Sequence, residues 1–181
     1  HSVFAIRESA GMVFQNPDNQ AVASVVRDDV AFGPENLGLA PDEIRARVEE
    51  ALATVAMQDH ALDEIESLSG GQKHPIAIAG VLAMRPQILI LDEPANHLDL
   101  IYQKHIFSLI ETWLRQPGRA VVSVVHDLSL ARKYGTHAVL MHRGQCAAQG
   151  KIGDVMTAEK LQAVYEMDVY GWMREMLGQW A

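Results

Sequence analysis

The chain has 181 residues, a hydrophobic content of 49% and a formal net charge of −8, which together predict one domain with a substantial core. The acidic balance argues against nucleic acid as the main partner, because phosphate backbones bind to basic faces. Cys146 is the only cysteine, which excludes an intrachain disulfide and a CxxC metal site, and no apolar run is long enough to predict a membrane-spanning helix.

The first third of the chain is predicted to contain one helix among loops. Four segments are expected: a strand at 11–14, a loop-rich stretch at 18–40, a helix at 41–57 and a short helix or loop at 59–67. The loop prediction rests on Gly33, Pro34 and Gly38, because glycine and proline interrupt regular structure. The helix prediction rests on apolar side chains that share one helical face.

The rest of the chain is predicted to alternate helices with strands. The expected elements are helices at 73–85, 101–115 and 128–134, strands at 87–92 and 120–125, and a hairpin at 139–148. Residues 158–181 are amphipathic and rich in Met and Trp, so they are predicted to pack on the body of the protein or on a partner.

Residues 68–72 read LSGGQ, a pattern that favours a phosphate near the start of a helix. Ser69 is predicted to cap the helix that follows, with its side-chain oxygen accepting a first-turn N–H. Gly70 and Gly71 allow a phosphate to approach the backbone closely, and a helix N-terminus favours anions. The alternative interpretation is an ordinary glycine-rich turn before a helix.

Residues 88–94 read ILILDEP, and the apolar part of this run lacks the alternation of a half-exposed strand. Such a run is typical of a parallel strand that is buried on both faces. Asp92 and Glu93 follow at the carboxyl end, where open α/β sheets bind their ligands. Two acids at a buried strand end are costly unless a metal or a reaction uses them. The alternative is a surface strand end with solvated acids.

In this order and at this close spacing, the two motifs resemble the ATPase domain of ABC proteins, LSGGQ being similar to the signature motif and ILILDEP to the Walker B strand. Residues 11–20, GMVFQNPDNQ, are similar to the Q-loop, with Gln15 as its glutamine. Residues 96–99, NHLD, are similar to the D-loop, with Asp99 as its aspartate. Residues 120–127, AVVSVVHD, contain His126 in the place of the switch histidine.

The resemblance implies an α/β fold with the three-layer, RecA-like core of P-loop NTPases. It implies a single partial ABC ATPase domain over 1–181, with an inserted helical subdomain at about 18–75, the rest of the α/β core at about 76–155 and a C-terminal helical tail at about 156–181. The P-loop motif G-x-x-x-x-G-K-[ST] appears nowhere in the sequence, and 14 residues precede Gln15. The core is therefore expected to lack its N-terminal P-loop portion, as in a fragment or a truncated or degraded gene product, and the chain alone is expected to be inactive.

The resemblance also implies a role for each polar residue at the strand ends, with ATP and Mg²⁺ as cofactors. Asp92 would hold Mg²⁺ through water, and Glu93 would act as general base on the attacking water. Gln15 would contact the metal or the water and report the nucleotide state to a membrane partner. His126 would contact the γ-phosphate.

The signature and D-loop residues are implied to bind ATP held by a second subunit. They are Ser69, Gly70, Gly71, Gln72 and Asp99. This arrangement implies a homo- or heterodimer of ATPase subunits whose closure on ATP drives a transmembrane permease. A protein of this kind lies peripherally on the cytoplasmic face of the cell membrane.

Two stretches, residues 13–20 (VFQNPDNQ) and 28–39 (DDVAFGPENLGL), resemble the ATPases of energy-coupling-factor importers of cobalt, nickel and vitamins. NHLD and residues 162–169, QAVYEMDV, are more similar to siderophore or vitamin B12 importers, and the longer Q-loop stretch favours the first group. The implied function is the ATPase subunit of an ABC-type importer of a metal ion or a vitamin. One alternative is a catalytically inactive ABC domain that acts only as an interaction partner; a lesser one is a soluble ABC protein of repair or translation.

Three residues depart from the family pattern. Ala95 stands where Thr or Ser is usual, and His74 and Pro75 stand where Gln and Arg are usual. In a helix capped by Ser69, Pro75 would remove the N–H that pairs with the Gly71 carbonyl. A proline inside a helix costs roughly 3 kcal/mol, so this helix is expected to be weakened.

Overall fold

The chain folds into two compact units that meet in the sequence between Val125 and His126. The structure, a computed structural model, describes residues 9–96 and 98–180. Within these ranges, no helix combines the length and the apolar character that crossing a membrane requires. The predicted division into helical subdomain, core and tail is based on family motifs, whereas the two units are defined by internal contacts. The predicted division therefore stays a prediction.

The first unit consists of a sheet and four α-helices within the described residues. Its strands are β1 (Ala10–Val13), β2 (Ile88–Asp92) and β3 (Ala120–Val124), and its helices are α1 (Val26–Asn36), α2 (Pro41–Thr54), α3 (Gly70–Leu82) and α4 (Leu100–Leu114). Short 3-10 turns lie at Pro17–Asn19, Gln58–His60 and Ile65–Ser67. The three strands predicted here and the helices predicted at 41–57 and 101–115 are confirmed to within a few residues.

Strand β2 lies between β1 and β3, and both pairings are parallel. In this register Val13 pairs with Leu91, and Asp92 pairs with Val124. Leu89 and Leu91 are buried, as predicted for a strand covered on both faces. Because parallel strands end at the same edge of a sheet, the residues that follow β1 and β2 come together there. The predicted α/β fold class is thereby confirmed.

Helix α1 lies within the stretch that is predicted to be rich in loops, so that prediction is wrong. Val26, Val30 and Pro34 are buried along one face of the helix, at the spacing that stacks side chains on successive turns. A Cβ at Gly33 would lie 2.6 Å from the Met84 side chain. This glycine therefore permits close packing against the end of α3 and does not form a turn.

Helix α3 carries much of the buried core of this unit and packs against α1, α2 and β1. Ser69 is its N-cap residue, as predicted, and the helix continues without interruption through Pro75. Ile76 and Ile78 are buried at its centre. The start predicted at residue 73 is one turn late, because the cap decides where the helix begins even though the two glycines that follow have low helix propensity.

The second unit contains a β-hairpin and short helices within the described residues. Its elements are α5 (Leu128–Tyr134), β4 (His137–His142), β5 (Gln145–Lys151), α6 (Ile152–Val155), α7 (Ala158–Tyr165) and α8 (Val169–Gly178). Strands β4 and β5 pair in antiparallel fashion. The helix predicted at 128–134 is confirmed. The hairpin predicted at 139–148 is also confirmed, and in the structure it extends from residue 137 to residue 151.

The amphipathic tail predicted at 158–181 contains α7 and α8, which contribute to the core of the second unit. Leu161 and Val169 are buried with Met156 in one apolar cluster. The Tyr170 hydroxyl donates to the Met156 carbonyl at 2.7 Å and accepts from Arg132 Nη1 at 2.6 Å. The first part of the tail therefore packs on its own unit through both apolar contacts and hydrogen bonds, whereas residues 174–180 are exposed.

Candidate active site

The parallel sheet brings Gln15 and Glu93 together at its carboxyl edge, although 78 positions separate them in the sequence. Strand β1 ends shortly before Gln15, and β2 ends immediately before Glu93. The Gln15 Nε2 donates a hydrogen bond to Glu93 Oε2 at 2.9 Å. Two residues that the sequence assigns to catalysis are therefore in direct contact.

Glu93 is held in an uncommon backbone conformation. Its φ of 46° lies in the left-handed region, which costs a non-glycine residue about 1–3 kcal/mol. Its N–H donates to the Val124 carbonyl at 3.1 Å, so the end of β3 helps to hold this conformation. Backbone strain of this kind persists only where the surroundings impose it, and it clusters at functional sites. Other non-glycine residues of the chain share this conformation, so the strain at Glu93 gains meaning only together with the side-chain contacts of Glu93.

Asn96 is a further contact of Glu93 that sequence reasoning did not single out. Its Nδ2 donates to Glu93 Oε2 at 2.8 Å, and its backbone N–H donates to the Glu93 carbonyl at 3.0 Å. The Gln15 and Asn96 amides thus converge on the same carboxylate oxygen. The sequence offers one indication of this contact: Asn96 follows Pro94 closely, and asparagine in a turn forms hydrogen bonds to nearby groups.

Asp92 is the last residue of β2 and is partly buried. The described residues contain no group of three or more His, Cys, Asp or Glu side chains that could hold a metal ion. A lone carboxylate suits Mg²⁺ bound together with a nucleotide, because Mg²⁺ takes one or two carboxylates and completes its shell with phosphates and water. The residues present therefore fit the predicted ion, and the assignment of Asp92 and Gln15 to it stays a prediction.

The first turn of α3 is organised around Gln72. Ser69 and Gln72 form a capping box, in which Gln72 Oε1 accepts from the Ser69 N–H at 3.0 Å and from its hydroxyl at 2.9 Å. The Gln72 amide nitrogen lies 3.3 Å from His60 Nε2, and His60 Nδ1 lies 2.7 Å from Asp63 Oδ2. Because an amide nitrogen only donates, His60 Nε2 accepts here. Sequence reasoning missed His60, since nothing in the pattern links it to Gln72.

The two glycines of this turn have different surroundings. A Cβ at Gly71 would lie 3.0 Å from the Tyr102 ring, whereas a Cβ at Gly70 would meet nothing within 4 Å. Asp99 is the N-cap residue of α4, and its Oδ1 accepts from the N–H groups of Ile101 and Tyr102 at 3.0 Å each. The predicted D-loop aspartate therefore fixes the start of the helix whose Tyr102 contacts the signature turn, and its predicted role toward ATP stays a prediction.

Helix α3 also holds the Q-loop in place. His74 Nε2 lies 3.2 Å from the Gln15 carbonyl oxygen. Lys73 Nζ pairs with Asp18 Oδ1 at 2.6 Å, and the Gln20 amide donates to a backbone carbonyl of α3 at 3.2 Å. Sequence reasoning noted His74 only as a departure from the family pattern, because the contact depends on how the Q-loop folds back onto the helix.

His126 is the first residue of the second unit, and its side chain is exposed. The next residue, Asp127, is the N-cap of α5, and its Oδ1 accepts from the Ser129 N–H at 2.7 Å. This cap fixes the start of α5. The predicted contact of His126 with a γ-phosphate stays a prediction.

A parallel sheet with an acidic carboxyl edge, joined to a helix that begins with Ser-Gly-Gly-Gln, defines a nucleotide-binding domain of the ABC type. The chain belongs to the ABC transporter family, whose sequence model matches residues 2–96. The family predicted from the motifs is thereby confirmed.

Among its relatives are energy-coupling factor transporter ATP-binding proteins named EcfA1. The protein from Clostridium novyi is 44% identical over 168 residues, which cover 93% of this chain and 60% of the relative. The protein from Symbiobacterium thermophilum is 45% identical over 162 residues, which cover 90% of this chain and 54% of the relative. The predicted resemblance to energy-coupling-factor ATPases is confirmed, and the chain spans a little over half the length of these relatives.

Two solved structures share the fold. The structure of CbiO1 from Clostridium perfringens, described as part of the ABC transporter complex CbiONQ, has a TM-score of 0.78 and 34% identity, covering 96% of this chain and 69% of that one. The ATP-binding cassette MJ0796, a dimer in a post-hydrolysis state bound to ADP and Pi, has a TM-score of 0.70 and 28% identity, covering 81% and 64%. Both similarities confirm the fold class.

Proposed function

We propose that this chain belongs to an ATP-hydrolysing subunit of an ABC importer of the energy-coupling-factor type, which takes up a metal ion or a vitamin. The observation that carries the proposal is the contact between Gln15 and Glu93 at the carboxyl edge of the sheet. The names of the relatives, and the large share of this chain that aligns with them, support the importer assignment.

Glu93 is the proposed general base. A base must present its oxygen to the attacking water at a defined position. The strained backbone at Glu93 and the two amides on its Oε2 give this side chain such a position without burying it completely. Gln15 contacts the same oxygen, and its proposed role is to sense changes around the base and to relay them through the Q-loop to a transmembrane permease.

Asp92 and the amide oxygen of Gln15 are the proposed ligands of Mg²⁺ at this edge. The ion would neutralise charge on the phosphate oxygens of ATP. Asp92 ends β2 beside Glu93, so one strand end supplies both the ion's carboxylate and the base.

The signature turn is the proposed contact with ATP on a second ATPase subunit. Ser69 and Gly70 are exposed at the start of α3, and Gln72 lies between Ser69 and His60. A helix N-terminus with glycines in its first turn accepts a phosphate group without steric conflict. With Asp99 and His126 in their predicted roles, the subunit would work as a dimer at the cytoplasmic face of the membrane.

Glu93→Gln in the full-length gene product tests this function. The carboxamide has nearly the same shape but cannot act as a base, so turnover should fall by about 10²-fold or more while ATP binding and ATP-driven dimerisation persist. Phosphate release, nucleotide binding and size-exclusion chromatography measure the three properties. If turnover stays within about threefold of the unmutated protein, Glu93 is not the base. If the unmutated protein neither binds nor hydrolyses ATP, the alternative of an inactive interaction partner is correct.

A further inference from the structure

Among the residues that the structure describes, His74 is the one buried polar side chain, with 5% of its surface exposed. It lies in α3 beside the buried residues Pro75 and Ile76. Burying an imidazole is unfavourable unless hydrogen bonds replace those lost to water. The partners of its two ring nitrogens therefore show what the side chain does there.

Only one ring nitrogen has a partner within the described part of the chain. His74 Nε2 lies 3.2 Å from the Gln15 carbonyl oxygen, whereas Nδ1 is buried without a hydrogen bond. A carbonyl oxygen only accepts, so Nε2 carries the proton. An apolar side chain of similar size would fill the same space without leaving a nitrogen unpaired. The hydrogen bond to the Gln15 carbonyl is therefore the polar contact that compensates for burying the imidazole.

That bond connects the signature helix to the carboxylate of Glu93. His74 holds the backbone of Gln15, and the side chain of the same residue donates to Glu93 Oε2 at 2.9 Å. Lys73 pairs with Asp18 beside this contact, which fixes the next turn of the Q-loop to the same helix. The start of α3 and the orientation of the proposed base are thus joined through one backbone carbonyl.

We propose that His74 is a positioning residue for ATP hydrolysis, which holds the Gln15 peptide so that the Gln15 amide meets Glu93. In this proposal it acts through its contact with the Gln15 carbonyl. This inference rests on the proposed function of Glu93. If His74 has this role, a substitution there alters turnover more than ATP binding, although the side chain is buried.

Side chains of different length at position 74 distinguish a role in positioning Gln15 from a role in packing the core. In His74→Gln the amide nitrogen is the same number of bonds from Cα as imidazole Nε2, so it can still donate to the Gln15 carbonyl. In His74→Asn the amide is one bond shorter and falls short of that oxygen. In His74→Leu the space is filled and no donor remains.

In the full-length gene product, the three variants are expected to differ in kcat. The Asn and Leu variants should lose about tenfold in kcat, the order of one lost hydrogen bond, with KM for ATP changed less than about threefold. The Gln variant should stay within about threefold of the unmutated protein. His74→Leu should keep or raise the melting temperature, because it removes the unpaired nitrogen, and a merely structural role would not combine this with a loss of kcat.

Amide hydrogen exchange supplies a readout that does not depend on turnover. Exchange in residues 14–20 should become faster in the Asn and Leu variants and stay unchanged in the Gln variant. If kcat and exchange are the same in all four proteins, or if Gln behaves like Leu, His74 does not position Gln15. If the unmutated protein shows no ATP hydrolysis, the proposed function fails, and the exchange comparison still decides the role of His74.

Discussion

At the scale of single residues, Glu93 is oriented by neighbouring amides rather than by deep burial. Gln15 and Asn96 donate to the same carboxylate oxygen at 2.9 Å and 2.8 Å, while the end of β3 accepts the Glu93 N–H. A hydrogen bond between uncharged and charged groups contributes about 1.5–3 kcal/mol when it is kept. The position of the carboxylate should therefore respond to the loss of either amide.

Asn96→Ala and Asn96→Asp test this dependence in the full-length gene product. The alanine variant should lose about three- to tenfold in kcat, because the Asn96 donor is gone, and the aspartate variant should lose more, because a second carboxylate repels Glu93. Steady-state ATPase kinetics measure both. Asn36→Ala is the control, since Asn36 also donates an amide bond, to the Phe32 carbonyl at 2.9 Å, but lies in α1. An unchanged kcat in both Asn96 variants would mean that the Asn96 amide does not orient Glu93.

Gly70→Ala and Gly71→Ala form a matched pair in one helical turn. A new Cβ would meet the Tyr102 ring at 3.0 Å in the second variant and nothing within 4 Å in the first. Gly70→Ala should raise the free energy of unfolding by up to about 1 kcal/mol, because alanine has the higher helix propensity, and Gly71→Ala should gain less or lower it. Chemical denaturation measures the difference. Equal shifts in the two variants would show that Tyr102 moves aside at no cost.

At the scale of elements, the parallel strands follow from short apolar runs and α2 follows from apolar periodicity, whereas α1 is missed. Pro34 indicates a break in the sequence, yet it lies near the end of α1 and is buried on the face that also buries Val30. Gly33 indicates a turn, yet it serves close packing against Met84. Both signals are local, and the packing partner that overrides them is distant in the sequence.

The site shows the same limit on prediction. Gln15 and Glu93 are recognised through motifs that resemble the Q-loop and the Walker B strand, and both follow parallel strands that end at one edge of the sheet. Asn96, His60 and His74 are not, because their contacts depend on how turns and a loop direct side chains onto other elements. Candidate catalytic residues are thus easier to recognise from this sequence than the residues that contact them.

Pro75→Ala tests what the proline costs α3. The substitution restores an N–H for the Gly71 carbonyl, worth roughly 3 kcal/mol in a helix interior, and removes about two buried methylenes, worth about 0.8 kcal/mol each. The net effect should be a gain of about 1 kcal/mol and a higher melting temperature. Pro41→Ala is the control, because Pro41 is the first residue of α2, where the N–H has no partner within the helix. A lower melting temperature for Pro75→Ala would show that the ring is accommodated by its surroundings.

At the scale of the whole molecule, the first unit exposes apolar side chains along its sheet. Val122 and Val124 of β3 are 59% and 50% exposed, and Met12 and Phe14 on and beside β1 are 44% and 42% exposed. Sheets of this class normally bury both faces, so exposed apolar strand residues indicate surfaces that other chain segments or subunits cover. The exposed apolar side chains of β1 and β3 are thus candidate contacts for other chain segments or for a second subunit.

The purified polypeptide 1–181 should show no ATP hydrolysis. Its sequence contains no P-loop motif, whose backbone amides and lysine hold the β- and γ-phosphates in ATPases of this class. Glu93 and Asp92 lie at the correct strand end, but a base accelerates hydrolysis only when the triphosphate is held beside it. Phosphate release from 1–181 should equal that from the Glu93→Gln variant of the same polypeptide. Release above this background that the variant abolishes would show that the sheet edge binds ATP productively without a P-loop.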